Sequence, residues 1–283
     1  MNLAVLANIH KEGIKTVIPL FLDALRKESL YAVLDSELEP ILGAGYDYEP
    51  VPNLFRGRDM IVSFGGDGTI LHTARLSEGC GIPILGVNLG KVGFLAEMSP
   101  DEISLIPDRL KRGAYEILER MAFTAGYSGR RYFALNDIVL DRGRNTRILT
   151  LTVTVDREYA GEFNADGLIV STPTGSTAHS AAAGGPLVTP ECRVAILTPI
   201  CPHSLTIRPM IIDGSRELRI GVTEGLARMA VDGQSFVDIP PGNEVTIRAA
   251  EEPVRVARFP DKTYFDILHT RLRWGVSLNL KNA

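Results

Sequence analysis

Cysteine is scarce in this chain: Cys80, Cys192 and Cys201 are the only three in 283 residues. They are too few and too scattered for a disulfide framework, and no C-x-x-C pair points to zinc. No apolar run approaches the roughly 18 residues that a membrane helix needs. The segment from Met1 to His10 lacks a basic region followed by a long apolar stretch. No signal peptide is therefore expected, and a reducing cytoplasm is the expected compartment. Basic excess is missing as well: 30 Lys and Arg stand against 34 Asp and Glu, a net charge of −4. That argues against a duplex nucleic-acid binder, whose domains are basic. It leaves room for an anionic ligand, which backbone N–H groups can hold. Repeats, linker-like runs and large charge blocks are absent. With 45% hydrophobic and 23% charged residues, the composition excludes a disordered or low-complexity chain. The length suffices for a core without disulfides or metal and, at roughly 150 residues per domain, for two domains.

The first hundred residues alternate strand and helix signals. Leu3 to Ala7 reads as a buried strand. Ile14, Val17, Ile18, Phe21, Leu22 and Leu25 follow at helical spacing. Pro19 interrupts that pattern and must fall in the first turn or kink the helix. Tyr31 to Leu34, Met60 to Phe64 and Pro83 to Val87 read as further strands, and about Thr69 to Arg75 as a helix. This alternation predicts a parallel α/β sheet.

The character changes near Gly113. Leu149, Leu151, Val153 and Val155 alternate with Thr150, Thr152 and Thr154, a period of two that predicts a sheet strand. Leu218 to Val222, Glu244 to Arg248 and Val254 to Phe259 continue the strand-rich pattern, so this half is expected to be mostly antiparallel β. Gly175 to Ala183 is its one expected helix. Helical spacing returns from Tyr264 to Trp274. The expected division is residues 1–111 as an α/β domain completed by a returning tail, 262–283, with 112–261 as a β-rich domain.

Gly65-Gly66-Asp67-Gly68-Thr69 follows a buried strand and opens a helix. Glycines leave the backbone uncovered, and the N–H groups at a helix start favour an anion. The loop is neither G-x-G-x-x-G, which disfavours hydride transfer, nor a Walker A loop with its Lys. Asp67 is the anomaly, because a carboxylate in a phosphate cradle repels the ligand. Two readings are open. Asp67 is a general base that accepts a hydroxyl proton while that oxygen attacks a phosphate, or it caps the helix.

A second segment runs from Asn164-Ala165-Asp166-Gly167 through Ser171 to Pro186. A short strand leads into a dense set of hydroxyls and small residues, which let a ligand approach the backbone and can hydrogen-bond a sugar or base edge. An ordinary Ser/Thr-rich turn with a helix cap is the other reading.

Asp67 in its glycine loop, Asn136-Asp137, Asp166-Gly167 and Ser171 to Pro186 occur in the order and spacing of the NAD kinase family, which the chain resembles. Asn88 to Leu95 and Val231-Asp232-Gly233-Gln234 are similar to two further family blocks. Lipid kinases and phosphofructokinases carry loops like 65–68, but not the segment that follows Asp166. The resemblance covers nearly the whole chain. It implies an N-terminal Rossmann-like α/β domain and a C-terminal β-sandwich-like, NAD-binding domain. It implies transfer of the terminal phosphate of ATP, or of polyphosphate, to the 2′-hydroxyl of the adenosine ribose of NAD. It also implies a divalent cation, Mg²⁺, accompanying the donor, and a homodimer or homotetramer without nucleic-acid or membrane partners.

Carried onto this chain, the resemblance makes Asp67 the proton acceptor, with Gly68 in the same contact and Gly65, Gly66, Gly68 and Thr69 as the phosphate loop. It assigns Asn136 and Thr174 to the adenine, Asp137 to ribose hydroxyls and Asp166 to the nicotinamide side. Thr177, Ala178, His179, Ser180, Ala181 and Ala182 line the dinucleotide. His72, Arg147, Asn164 and Gln234 complete the implied NAD contacts, Cys201 is placed near the adenine, and no residue is a metal ligand. Asp137 stands where Glu is usual, His179 where Tyr is usual, and Asn164 where a cation is frequent. His203 reads as structural, because no second metal ligand stands at a suitable spacing. The alternatives are another kinase with this glycine loop, acting on a lipid or sugar phosphate, and a non-catalytic dinucleotide sensor. The chain has no exposed amphipathic or basic stretch for a membrane surface.

Overall fold

The computed structural model of the protein describes residues 1–90, 93–96, 98–145 and 147–275. Lys91 and Val92 of the expected Asn88–Leu95 block, and the tail beyond residue 275, lie outside them. The chain divides into two compact units: Met1–Leu118 with Arg255–Ala283, and Glu119–Val254.

The first unit carries β1 (Asn2–Ala7), α1 (Ile14–Lys27), β2 (Tyr31–Asp35), α2 (Glu39–Leu42), β3 (Tyr48–Glu49), β4 (Met60–Gly65), α3 (Asp67–Leu76), β5 (Ile84–Asn88), α4 (Ile106–Lys111) and β6 (Glu116–Arg120). The second carries β7 (Phe123–Tyr127), β8 (Arg130–Ala134), β9 (Asp137–Asp141), β10 (Leu149–Val155), β11 (Glu158–Ala165), β12 (Gly167–Ser171), α5 (His179–Ala182), β13 (Val194–Ile200), β14 (Met210–Asp213), β15 (Leu218–Glu224), β16 (Ala227–Val231), β17 (Ser235–Ile239) and β18 (Asn243–Ala249). The chain then returns to the first unit through β19 (Val254–Arg258) and α6 (Tyr264–Leu272).

The first unit is α/β. Its sheet runs β3-β2-β1-β4-β5-β19-β6, with β1 parallel to both β2 and β4. Strand order therefore reverses at β1, and in open α/β sheets ligands bind outside the carboxyl ends of the strands at such a point. The glycine loop leaves the carboxyl end of β4, whose six residues are all buried. The apolar stripe of α1 (Ile14, Ile18, Phe21, Leu22, Leu25) packs on this sheet, with Phe21 and Phe64 edge to face at 5.2 Å. Pro19 lies in the second turn of α1 rather than the first, leaving the Lys15 carbonyl without its i+4 donor.

The expected edges of the β-rich half need correction. Val254 to Phe259 has strand periodicity, but β19 pairs in parallel with β5 (Val256 with Ile84, Ala257 with Leu85). Ala257 and Phe259 are buried in the first unit's core. Strand periodicity does not tell which sheet receives a strand, so the observed edges are Leu118 and Val254 instead of 111 and 261.

The second unit is sandwich-like. One antiparallel sheet runs β11-β10-β15-β18-β7-β8 and the other β14-β13-β12-β9-β16-β17. Leu149, Leu151 and Val153 of the first and Ile138, Leu140, Leu168 and Val170 of the second share one core. The helix expected over Gly175 to Ala183 is two pieces, a 3-10 turn at Thr174–Thr177 and α5. Ala178, at φ −101° and ψ −124°, is not helical and breaks it. Among the described residues, no helix is long and apolar enough to cross a membrane.

Candidate functional site

In the first unit, Gly66 is the N-cap of α3 and Asp67 its first residue. The cap is closed by Thr69, whose hydroxyl accepts the Gly66 N–H at 3.3 Å. The capping reading of Asp67 is thereby corrected, because its side chain turns away from the helix. Oδ2 accepts the Phe94 N–H at 2.9 Å, and Oδ1 accepts those of Leu95 and Ala96, each at 3.0 Å. The loop after β5 thus closes on the glycine loop, with Leu89 N–H also donating to the Gly65 carbonyl at 2.9 Å. A side chain at Gly93 would overlap the Asp67 carboxylate, and one at Gly65 would overlap Thr69. A carboxylate has about four acceptor positions. Three are filled among the described residues, and the fourth is on Oδ2. Gly68 is exposed beside it. His72, exposed on α3, has Nδ1 2.9 Å from Arg75 Nη2. Desolvation, then the Arg75 charge, lowers its pKa.

In the second unit, a cavity of about 320 Å³ opens on the outer face of β9 and β16. Asp137, Val139 and Asp141 alternate onto this face from β9. Arg228 and Ala230 do so from β16, with Arg228 opposite Asp141 and Ala230 opposite Val139. Ala178 and His179 form another wall, and Asp232, Gly233 and Phe236 line the remainder. Of the sequence-predicted residues, the cavity brings together Asn136, Asp137, Ala178 and His179.

Among the described residues, two buried acceptors have no partner: Asn136 Oδ1 and Thr174 Oγ1. Buried polar atoms are rarely left so, and both belong to residues expected to meet the adenine. Their backbones are tightly held. The Thr172 N–H donates to the Asn136 carbonyl at 2.8 Å, the Thr172 hydroxyl donates to the Leu135 carbonyl at 2.6 Å, and a side chain at Gly175 would overlap the Asn136 carbonyl. Asp137 is 5% exposed. Burial first, and the Asp232 charge second, push its carboxyl up to about 7.

The other predicted residues are spread over the unit. Asp166 makes a two-pronged pair with Arg142, at 3.1 Å from Nε and 3.2 Å from Nη2. The Ser180 hydroxyl is buried against Thr198 at 2.9 Å, and its carbonyl accepts the Gly185 N–H at 2.8 Å. Thr177 and Ala181 are half-buried and Ala182 exposed. Asn164, exposed on β11, accepts from Thr150 at 2.8 Å. Arg147 is exposed, and Gln234 follows the turn after β16. Cys201 is exposed, and the His203 N–H donates to the Asn164 carbonyl.

Sequence reading missed Asp141, Arg142, Arg228, Phe236 and the role of Asp232. Arg228 is 3.3 Å from Asp141 and lies over the Phe236 ring at 5.1 Å. The period-two alternation of β9 and β16 was a signal that could have placed Asp141 and Arg228 on one face.

Both units have counterparts among known proteins. Residues 51–115 match the ATP-NAD kinase N-terminal domain and residues 135–259 the ATP-NAD kinase C-terminal domain. The chain is 37% identical over 285 residues to the NAD kinase of Moorella thermoacetica, covering 98% of this chain and 90% of that protein. It is 41% identical over 238 residues to the NAD kinase of Heliobacterium modesticaldum, covering 81% and 84%. Among solved structures, yeast NADH kinase complexed with NADH superposes with a TM-score of 0.90 at 25% identity, over 99% of this chain and 89% of that one. The NAD kinase of Archaeoglobus fulgidus in complex with ATP superposes with a TM-score of 0.78 at 26% identity, over 96% and 99%. By its sequence over most of its length, and by its fold, the chain belongs to the NAD kinase family.

Proposed function

We propose that this protein phosphorylates NAD to NADP with ATP as donor, and that Asp67 is its general base. The observation that carries the assignment is the Asp67 carboxylate itself. Three loop amides hold it beside the glycine loop, with the fourth acceptor position on Oδ2. That position receives the 2′-hydroxyl of the adenosine ribose. As its oxygen bonds to the terminal phosphorus, the bond to the bridging oxygen breaks, ADP leaves, and the hydroxyl proton passes to Oδ2. The transition state is loose, so the proton leaves late and a weak base is sufficient. The start of α3, where glycines leave the backbone uncovered and the helix dipole is positive, faces the donor phosphates.

Asn136 and Thr174 offer their unpartnered oxygens to the adenine, and Asp137 accepts from ribose hydroxyls. Asp166, oriented by Arg142, meets the nicotinamide side, and Thr177 to Ala182 line the dinucleotide, with His72, Arg147, Asn164 and Gln234 at its margins. The described residues include no group of three or more His, Cys, Asp or Glu that could hold a metal ion. Mg²⁺ arrives with the donor phosphates and water, as is common for this ion. A homo-oligomer is supported by the edge strand β14, where Met210 and Ile211 are half exposed, and by Leu205 at 93% exposure. A cytoplasmic location completes the reading.

The test is to incubate the purified chain with NAD, Mg²⁺ and ATP and to read NADP with an NADP-specific dehydrogenase. NADP formation that requires ATP is expected. NAD binding without NADP from ATP or polyphosphate would refute the catalytic reading.

A further inference from the structure

Asp232 sits in the turn between β16 and β17. Asp232 (φ 49°) and Gly233 (φ 64°) both take left-handed conformations, and the Gln234 N–H donates to the Val231 carbonyl at 2.9 Å. This is the Asp-Gly form of a hairpin turn, which Asn-Gly makes equally well. The turn alone therefore does not require a carboxylate. The carboxylate has a second task across the sheet. Its Oδ1 accepts the N–H groups of Asn136 at 2.8 Å and Asp137 at 3.1 Å, and its Oδ2 accepts that of Leu135 at 2.9 Å. The Asp232 N–H donates to the Asp137 carbonyl at 3.0 Å.

We propose that Asp232 is a positioning residue for the dinucleotide, gathering the amides of 135–137 so that Asn136 and Asp137 present their side chains to the cavity in one fixed arrangement. This rests on the assignment of those two residues as NAD contacts. The proposal has a second consequence, through charge. Asp137 faces Asp141 from its own strand, Arg228 and Asp232 from the β16 hairpin, and His179 from α5. Arg228 is engaged by Asp141, and Asp232 is the charge that raises the Asp137 carboxyl beyond the effect of burial. An ionised Asp137 accepts from a ribose diol at both oxygens, whereas the neutral acid does so less well. NAD affinity therefore rises as pH passes upward through neutrality, and Asp232 sets where that rise occurs.

The experiment measures KM for NAD and kcat from pH 5.5 to 8.5 in wild type, Asp232→Asn and Asp232→Glu, with thermal unfolding of each. Asp232→Asn keeps the turn but offers one acceptor where two are used, and it removes the charge. KM is expected to rise about 10- to 100-fold with kcat changed less than about threefold, and the inflection of KM with pH to move to lower pH. Asp232→Glu keeps the charge and displaces the amides, so KM rises while the inflection stays. Wild-type KM and an unmoved inflection in a folded Asp232→Asn protein would overturn the proposal. So would loss of folding in both variants, which would make Asp232 a stability residue. Absence of NADP formation by wild type at every pH would instead refute the kinase reading beneath it.

Discussion

Replacing Asp137 by Asn should stabilise the second unit while impairing the enzyme. Asp137 is 5% exposed, and burial, followed by the Asp232 charge, lifts its carboxyl from 3.8 to about 7. A displacement of that size corresponds to about 4 kcal/mol. Its sign is unfavourable to folding. Well below pH 3.8 the folded and unfolded chains both hold the proton, and no penalty exists. From there to about pH 7 the folded state binds more protons than the unfolded one, so stability falls as pH rises. Above pH 7 the whole penalty is present. Asp137→Asn removes the ionisation but still buries an amide, for a net gain of about 2 kcal/mol at pH 8 and little at pH 4. That is about 4–8 °C in unfolding temperature for a unit of this size. Thermal unfolding at pH 4, 6 and 8, with NADP formation on the same samples, measures both effects. Equal unfolding temperatures of variant and wild type at pH 8 would refute the burial argument. Unimpaired NAD turnover would refute the ribose contact.

Asp67→Asn should lower kcat by about 10²–10⁴ and weaken the first unit by about 1–3 kcal/mol, because one loop amide loses its acceptor; kinetics and denaturant unfolding read the two separately. Gly93→Ala should displace Asp67 and lower kcat, and adding it to Asp67→Asn should cost little more, since both disturb one interaction; additive losses would separate them. Arg142→Ala releases Asp166, so KM for NAD should rise about tenfold with kcat little changed, and an unchanged KM would remove Asp166 from the site. Deleting the chain from Tyr264 onward removes the buried Ile267 and Leu268 and should lower the unfolding temperature of the first unit, to which that segment belongs.

The parallel sheet was legible because its strands are short apolar runs between helical stripes, and β10 because Leu and Thr alternate without a break. The destination of β19 was not legible, since alternation reports one wet face and not the neighbouring strand. The helix after Thr174 was overread: Ala and Ser have helical propensity, but Gly175 is packed so closely on the Asn136 backbone that tertiary contact decides the local path. At the site, glycine loops and hydroxyl runs are local signals and were visible. The carboxylates that hold the loops within each unit act over long sequence separations. Asp67 reaches Phe94 to Ala96 and Asp232 reaches Leu135 to Asp137, and no periodicity encodes a side chain that bonds to backbone so far away.

Those two carboxylates also explain why a phosphate-handling protein can carry a net charge of −4. In each unit an acid accepts three successive backbone amides. Each amide so engaged is one that cannot bind phosphate, so these acids are not built for anion capture. They make rigid loops out of segments that would otherwise move, at positions where a side chain at Gly93 or Gly175 would collide. Phosphate attraction is left to the start of α3, where small residues let a phosphate approach and the helix dipole is favourable. A basic surface would also attract polyanions but would not place them. Asp67, tied to three amides, has its carboxylate placed to within a hydrogen-bond length. Placement of that kind, more than attraction, is what in-line transfer to one chosen hydroxyl demands.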